Sequence, residues 1–301
     1  MSAKADWIAV DWGTSNLRVW AMDSNSRVLG QSEGTEGMGS LTSDQYESVL
    51  LAHARDFLAD GRVTDVVICG MAGARTGWSE APYTSTPCAP ATVDGTAVAT
   101  RDPRLSVRIL SGLCQISPPD VMRGEETQIA GFLAEQPDFD GYLCLPGTHT
   151  KWARICDGQI LSFNTSMTGE MFSLLAKHSI LRLSMDEDWS DDAMLEEMAA
   201  AMLNPQDIAF SLFSLRAAGL VTGDSGHSRA KLSGMLLGQE LASIAPRLNN
   251  LPVVVIGATE LTRLYVLGLS RIGVAAESRD GSMLVLKGLQ SAYLVSKGAK
   301  I

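Results

Sequence analysis

Asp11-Trp12-Gly13-Thr14-Ser15-Asn16 lies between two short apolar runs. In such a turn Gly13 lets backbone amides approach an anion, and Thr14 and Ser15 add hydroxyl and amide donors. Asp11 can hold a hydrated magnesium ion, and Arg18 can neutralise phosphate charge. Alone, the segment reads equally well as a tight hairpin whose Asp and Thr satisfy backbone groups. Gly147-Thr148-His149-Thr150-Lys151 shifts the balance, because two such turns facing each other can clamp the β- and γ-phosphates of a nucleotide. Leu145 stands where Asp11 stands in the first turn, so only the first turn would handle metal.

Arg123-Gly124-Glu125-Glu126-Thr127 opens a segment with helical periodicity. An acidic first turn is favoured by backbone donors and the helix dipole, which alone would account for the two carboxylates. The chemical alternative makes Glu125 or Glu126 the general base that accepts a proton from an attacking sugar hydroxyl. The polar turn Asn164 to Met171 suits a polyol through Thr168 and Glu170, or is an ordinary cap with Thr168 ahead of the helix. Late in the chain an apolar run passes through Gly257, Ala258 and Thr259 into a helix, leaving room for a flat adenosine against the backbone; a plain strand-to-helix glycine gives the same pattern. Within residues 70–83, Arg75 can pair a substrate carboxylate bidentately and Trp78 can stack on a sugar face. Arg123 is a second candidate for that carboxylate. The acidic run Asp186 to Asp192 lacks EF-hand spacing and reads as a solvated helix entry.

Strands and helices must hold these groups in place. Ile8 to Val10 is apolar, Leu17 to Met22 alternates, and Val28 to Gln31 follows the polar turn Asp23-Ser24-Asn25-Ser26, which predicts three strands. A helix is predicted from Asp44, with Asp44 and Glu47 as a capping box and Tyr46, Leu50, Ala54, Phe57 and Leu58 on one face. Val63 to Cys69 returns as a strand. An offset of 134 residues maps Gly13 on Gly147, Thr14 on Thr148 and Asp23 on Asp157, so the second half repeats the order strand, Gly-Thr turn, strand, polar turn, strand. There a helix is predicted over Gly169 to Arg182, further helices to about Asn250 and a strand over Pro252 to Ile256. The economical reading is an α/β protein of two lobes, one phosphate turn from each, with the active site in a cleft between them.

Composition narrows the function. The chain has 301 residues, 46% hydrophobic, with 24 basic and 34 acidic side chains and a net charge of -10. That length suits one large domain or two ordinary ones. The acidic balance disfavours nucleic-acid and anionic-membrane partners, which need a surplus of Lys and Arg. The five cysteines form no CxxC pair and read as reduced, mostly buried thiols. No Gly-Lys dipeptide and no GxGxxG occurs, which removes the Walker loop and argues against a Rossmann dinucleotide site. No signal peptide or membrane span is evident, so a cytoplasmic location is expected.

Taken together, DWGTSNLRVW (11–20), GMAGARTGWSEAPY (70–83), RGEETQIAG (123–131), LPGTHTKW (145–152), NTSMTGEMF (164–172) and IGATELTRLY (256–265) resemble the 2-dehydro-3-deoxygalactonokinase family of the actin, hexokinase and Hsp70-like ATPase superfamily. The resemblance implies two ribonuclease-H-like lobes closing on magnesium-ATP and a ketodeoxy sugar acid, with the γ-phosphoryl group passing to the terminal 6-hydroxyl. It implies that Asp11 organises Mg2+, that Gly13, Thr14 and Ser15 with Gly147, Thr148, His149 and Thr150 hold phosphates, and that Gly257, Ala258 and Thr259 border the adenosine. Many sugar kinases of the superfamily place an Asp base where this chain offers Glu125 and Glu126. The implied division is an N-terminal lobe over 1–118, to which 287–301 returns, and a C-terminal lobe over 119–286 with a helical insertion at about 183–250. Two rival readings are a same-fold kinase for another sugar or small alcohol, and a regulator that binds ATP without transfer. Sugar-kinase-like repressors carry a DNA-binding segment ahead of the first phosphate strand, which here starts within ten residues of Met1. Partners are thus expected to be small molecules, with a homo-oligomer compatible.

Overall fold

A computed structural model of the chain describes residues 3–90, 95–223 and 226–298. The chain runs β1 (Trp7–Trp12), β2 (Leu17–Met22), β3 (Val28–Gly34), α1 (Tyr46–Ala54), β4 (Thr64–Gly70), β5 (Tyr83–Ser85), β6 (Gly95–Val98), β7 (Leu105–Leu110), β8 (Gly112–Gln115), β9 (Asp120–Met122) and α2 (Glu125–Glu135). It continues with β10 (Gly141–Leu145), β11 (Thr150–Cys156), β12 (Gln159–Ser166), α3 (Thr168–His178), α4 (Asp191–Leu203), α5 (Ile208–Ser211), α6 (Ser214–Thr222), α7 (Ser228–Leu248), β13 (Val253–Gly257), α8 (Thr259–Arg271), β14 (Ala276–Asp280) and α9 (Gly281–Ser296).

The two halves share one strand order. The first sheet is ordered β3-β2-β1-β4-β7-β6 and the second β12-β11-β10-β13-β14. In the first, β1 to β3 form an antiparallel meander while β1, β4 and β7 run parallel. In the second, β10, β13 and β14 run parallel. The α/β class and the duplicated, ribonuclease-H-like plan expected from the 134-residue echo are therefore present.

Alternation along β1 builds two apolar layers, since successive strand side chains point to opposite faces. Ile8, Val10 and Trp12 join Tyr46, Leu50 and Ala54 of α1 on one face. Trp7 and Ala9 join Val285, Leu289 and Ala292 of α9 on the other. The helix predicted from Asp44 begins at Tyr46, and the expected capping box does not form. Thr42 Oγ1 donates to Asp44 at 2.7 Å instead, and Glu47 Oε1 accepts the backbone N–H groups of Arg101 and Asp102, each at 2.7 Å. Two distant loop amides thus outbid the local cap for Glu47.

The described residues fall into two compact units, the first within 1–139, 155–163 and 281–301 and the second within 140–154 and 164–280. This division differs from one drawn at 118 and 286, because α2 packs directly on α9 in the first unit. A Cβ on Gly131 would strike the Leu284 carbonyl oxygen and one on Gly288 the Thr127 carbonyl oxygen, so both helices need glycine to approach this closely. Gly288→Val is expected to destabilise the protein by roughly 2–3 kcal/mol through overpacking, read as a lower denaturation midpoint in urea. In the second unit the insertion supplies α4 to α7. Gly234 and Gly238 of α7 lie on the carbonyls of Met194 and Met198 in α4, above a core that includes Trp152, Leu241 and Tyr265. Among the described residues, no helix is long and apolar enough to cross a membrane.

Candidate active site

In the first unit the predicted phosphate turn joins β1 to β2. Gly13 N–H donates to the Asn16 carbonyl at 2.9 Å, and the carbonyls of Gly13 and Thr14 accept from Met38 and Gly39 at 3.0 and 2.9 Å. A Cβ on Gly37 would collide with Thr14 O and Ser15 N, so the neighbouring segment presses the turn from behind and leaves Thr14 and Ser15 exposed. Strand pairing sets Asp11 between Arg18 of β2 and Cys69 of β4. Its carboxylate lies 3.4 Å from Arg18 Nη1 and 3.8 Å from Cys69 Sγ. Burial raises the Asp11 carboxyl above its ordinary range, with the Arg18 guanidinium opposing.

The positive φ of +112° at Gly124 turns the chain from β9 into α2 and delivers two carboxylates to the helix start. Glu125 Oε2 accepts from Arg123 N–H at 3.1 Å. Glu126 is 1% exposed, and both its oxygens accept from Gly124 N–H, at 2.8 and 2.7 Å. Burial first, and then the Glu125 charge, push the Glu126 carboxyl up to about 7. The Cys69 thiol is raised well above its usual value by burial and by the charges of Asp11 and Glu126.

The loop after β4 distributes its side chains differently from expectation. Arg75 is 86% exposed and lies 3.5 Å from Glu80. Trp78 packs into the core, stacked on Tyr46 with centroids 6.0 Å apart and edge-on to Trp12 at 6.2 Å. Arg123 donates from Nη2 to the Ala81 carbonyl at 2.7 Å and lies 4.3 Å above the Tyr83 ring, while its Nε and Nη1 are sealed from solvent without a hydrogen-bond partner.

In the second unit the Gly147 turn joins β10 to β11 and is braced by the start of α3. Glu170 N–H donates to the Thr148 carbonyl at 2.9 Å, and its carboxylate meets His149 Nε2 at 2.6 Å. A Cβ on Gly169 would overlap the Gly147 carbonyl oxygen. Beneath the turn, Thr150 Oγ1 and Tyr265 Oη are 2.7 Å apart, and Tyr265 Oη donates to Glu240 Oε2 at 3.0 Å. Trp152 Nε1 donates to Glu240 Oε1 at 2.7 Å, and Thr168 Oγ1 also donates to Glu240. Burial raises Glu240, with these donors opposing. Sequence reasoning missed Glu240; its one signal was a lone carboxylate in the apolar run Met235 to Ile244 of α7. Gly257 ends β13 beside the Gly147 turn, where a Cβ would sit 3.5 Å from the Pro146 carbonyl oxygen, and Ala258 and Thr259 follow, both exposed. The acidic run enters α4, where Ser190 caps the helix and Asp191 pairs with Arg263 Nη1 at 2.6 Å.

Among the described residues, no three His, Cys, Asp or Glu side chains gather as a metal cluster. Asp11 still fits Mg2+, which keeps most of its shell as water and substrate phosphate and uses one or two carboxylates. Its side chain is 20% exposed, at the end of β1 beside the donor-bearing turn.

A family model for 2-keto-3-deoxy-galactonokinase matches residues 11–292. The chain belongs to this kinase family. A Rhizobium meliloti (strain 1021) protein described as a probable 2-dehydro-3-deoxygalactonokinase is 36% identical over 300 residues, covering 97% of this chain and 98% of the relative. The 2-dehydro-3-deoxygalactonokinase of Escherichia coli (strain K12) is 32% identical over 294 residues, covering 95% and 97%. A crystal structure of a Sinorhizobium meliloti protein described as a 2-dehydro-3-deoxygalactonokinase superposes with a TM-score of 0.89 at 35% identity, covering 96% and 99%. Membership in the galactonokinase family makes the chain an ATP-dependent kinase of carbohydrate metabolism with a sugar-acid acceptor.

Proposed function

We propose that this kinase transfers the γ-phosphoryl group of ATP to the 6-hydroxyl of 2-dehydro-3-deoxy-D-galactonate, with Glu126 as general base and Asp11 as the residue that holds Mg2+ through water. The observations that carry the assignment of roles are Asp11 at the end of β1 beside the Gly13 turn, and Glu126 buried at the Gly124 corner with its carboxyl raised to about 7.

Phosphoryl transfer asks little covalent chemistry of a protein, so positioning and charge neutralisation supply most of the rate. In the first unit the exposed Thr14 and Ser15 offer amide and hydroxyl donors to phosphate oxygens, with Arg18 beside them; in the second unit the exposed Thr148 and His149 of the Gly147 turn offer donors of the same kind. Glu170 orients His149 for that task, and Gly257 to Thr259 border the adenosine. Asp11 would hold Mg2+ through water, and the ion would supply charge neutralisation to the transferred phosphoryl group. Glu126 accepts the proton of the attacking hydroxyl, and a base near 7 suits that role because about half of it is ionised at neutral pH while it is still basic enough to take the proton. Glu125 stabilises the corner at Arg123.

A coupled ADP-release assay over a panel of sugars and sugar acids tests the substrate. The expected result is turnover that depends on 2-dehydro-3-deoxy-D-galactonate and exceeds that with any simple hexose. Preference for a hexose or a small alcohol reassigns the acceptor, and ATP binding without acceptor-dependent turnover favours a regulator.

A further inference from the structure

The second unit holds a cavity of about 320 Å³ between the end of β12, the start of α3 and one face of α7, its wall part apolar (Trp152, Met171, Leu236, Ile244) and part polar. That volume is within the range of small-molecule sites. Asn164, Thr165, Gln239, Ser243, Glu240 and Arg247 give it hydroxyl, amide and charged groups, and Arg247 is its one cation among the described residues. Arg247 is exposed at the cavity wall and donates from Nη1 to Asn164 Oδ1 at 2.5 Å. Neither arginine expected to meet a carboxylate lines this cavity: Arg75 stands beside Glu80, and Arg123 lies by Ala81 and Tyr83 with Nε and Nη1 buried and unpartnered.

We propose that this cavity is the acceptor subsite, with Arg247 pairing the carboxylate of the sugar acid and Asn164, Thr165, Gln239 and Ser243 receiving its hydroxyls. The inference rests on the kinase reading above. Its direction follows from α7. Glu240 and Arg247 are seven residues apart on one helix face, hence about 10 Å along the axis at 1.5 Å per residue. An extended six-carbon acid spans most of that distance. The oxygens of Glu240 are already engaged by Trp152, Tyr265 and Thr168. Three donors are thus already spent on Glu240 at that end, and Arg247 attracts a carboxylate at the other. The terminal hydroxyl then lies towards Thr168, the residue before Gly169, which touches the Gly147 turn. Carboxylate recognition is thus placed at the Arg247 end of the cavity, and the end nearer the Gly147 turn is the one at Thr168.

Arg247→Ala is expected to raise KM for the sugar acid about 10- to 100-fold, the loss of a charge-assisted pair, with KM for ATP within about twofold of wild type. The carboxamide analogue of the acid gives a second readout: wild type prefers the acid strongly, and the variant has lost that preference. Ser243→Phe fills the cavity without touching charge and is expected to raise the same KM, so the site remains testable should Arg247→Ala fail to fold by circular dichroism. A folded Arg247→Ala enzyme with unchanged KM and undiminished preference for the acid overturns the assignment. Absence of sugar-acid-dependent turnover in wild type strikes the kinase reading instead. In that case calorimetric titration of the acid into wild type and Arg247→Ala still reports on the cavity: equal affinities, or no binding to either, overturn it.

Discussion

Asp11→Asn lowers kcat by about 10²- to 10³-fold, the scale of removing one preorganised charge from a phosphoryl-transfer site, while the fold survives. The substitution keeps the shape of the side chain. It breaks only an Arg18 contact at 3.4 Å and a thiol contact at 3.8 Å, and it removes a carboxyl whose ionised form burial disfavours. Thermal stability should therefore hold or rise as activity collapses, and a higher Mg2+ concentration should restore part of the rate. Steady-state kinetics across a Mg2+ titration, alongside a melting curve, separate the two effects. A variant that turns over at the wild-type rate removes Asp11 from the metal role.

Glu126→Gln is expected to cost about 10²- to 10⁴-fold in kcat/KM, the usual range for a general base. The pH dependence makes the prediction sharper. Burial and the Glu125 charge disfavour the ionised form, so the carboxyl titrates at about 7. A base works deprotonated; wild-type kcat/KM should therefore fall about tenfold per pH unit below 7 and level off above it. Glu126→Gln loses that limb and becomes flat across it, whereas Glu125→Gln keeps it. If the limb persists in Glu126→Gln and vanishes in Glu125→Gln, the base is Glu125.

What could be read in advance was whatever has a short period or a local turn. Leu17 to Met22 alternates and is a strand over those residues; the Gly13 and Gly147 turns join antiparallel-type strand trios as their shared spacing foretold. The helix of the first turn at Asp44 was misplaced by two residues because Glu47, a good capping residue in sequence, is recruited by amides more than fifty positions away. Trp78 illustrates the same limit: its glycine-rich loop shows in the sequence, but only tertiary packing reveals that its half-buried ring lies against Tyr46 and Trp12. Arg247 and Asn164 lie 83 positions apart, and neither sits in a motif that spacing could pair. Glutamates 125 and 126 are identical as letters; the full desolvation of one of them is a property of the corner at Gly124.

The close glycine contact between α2 and α9 also bears on how the polypeptide is made. Val285, Leu289 and Ala292 of α9 cover the face of β1 that carries Trp7 and Ala9, a strand made well before that helix. Until α9 emerges, that apolar sheet face has no lid, while every segment of the second unit has already been synthesised. The nascent chain therefore completes its later-encoded half before its earlier one, and the first sheet spends most of translation as the surface most in need of a chaperone.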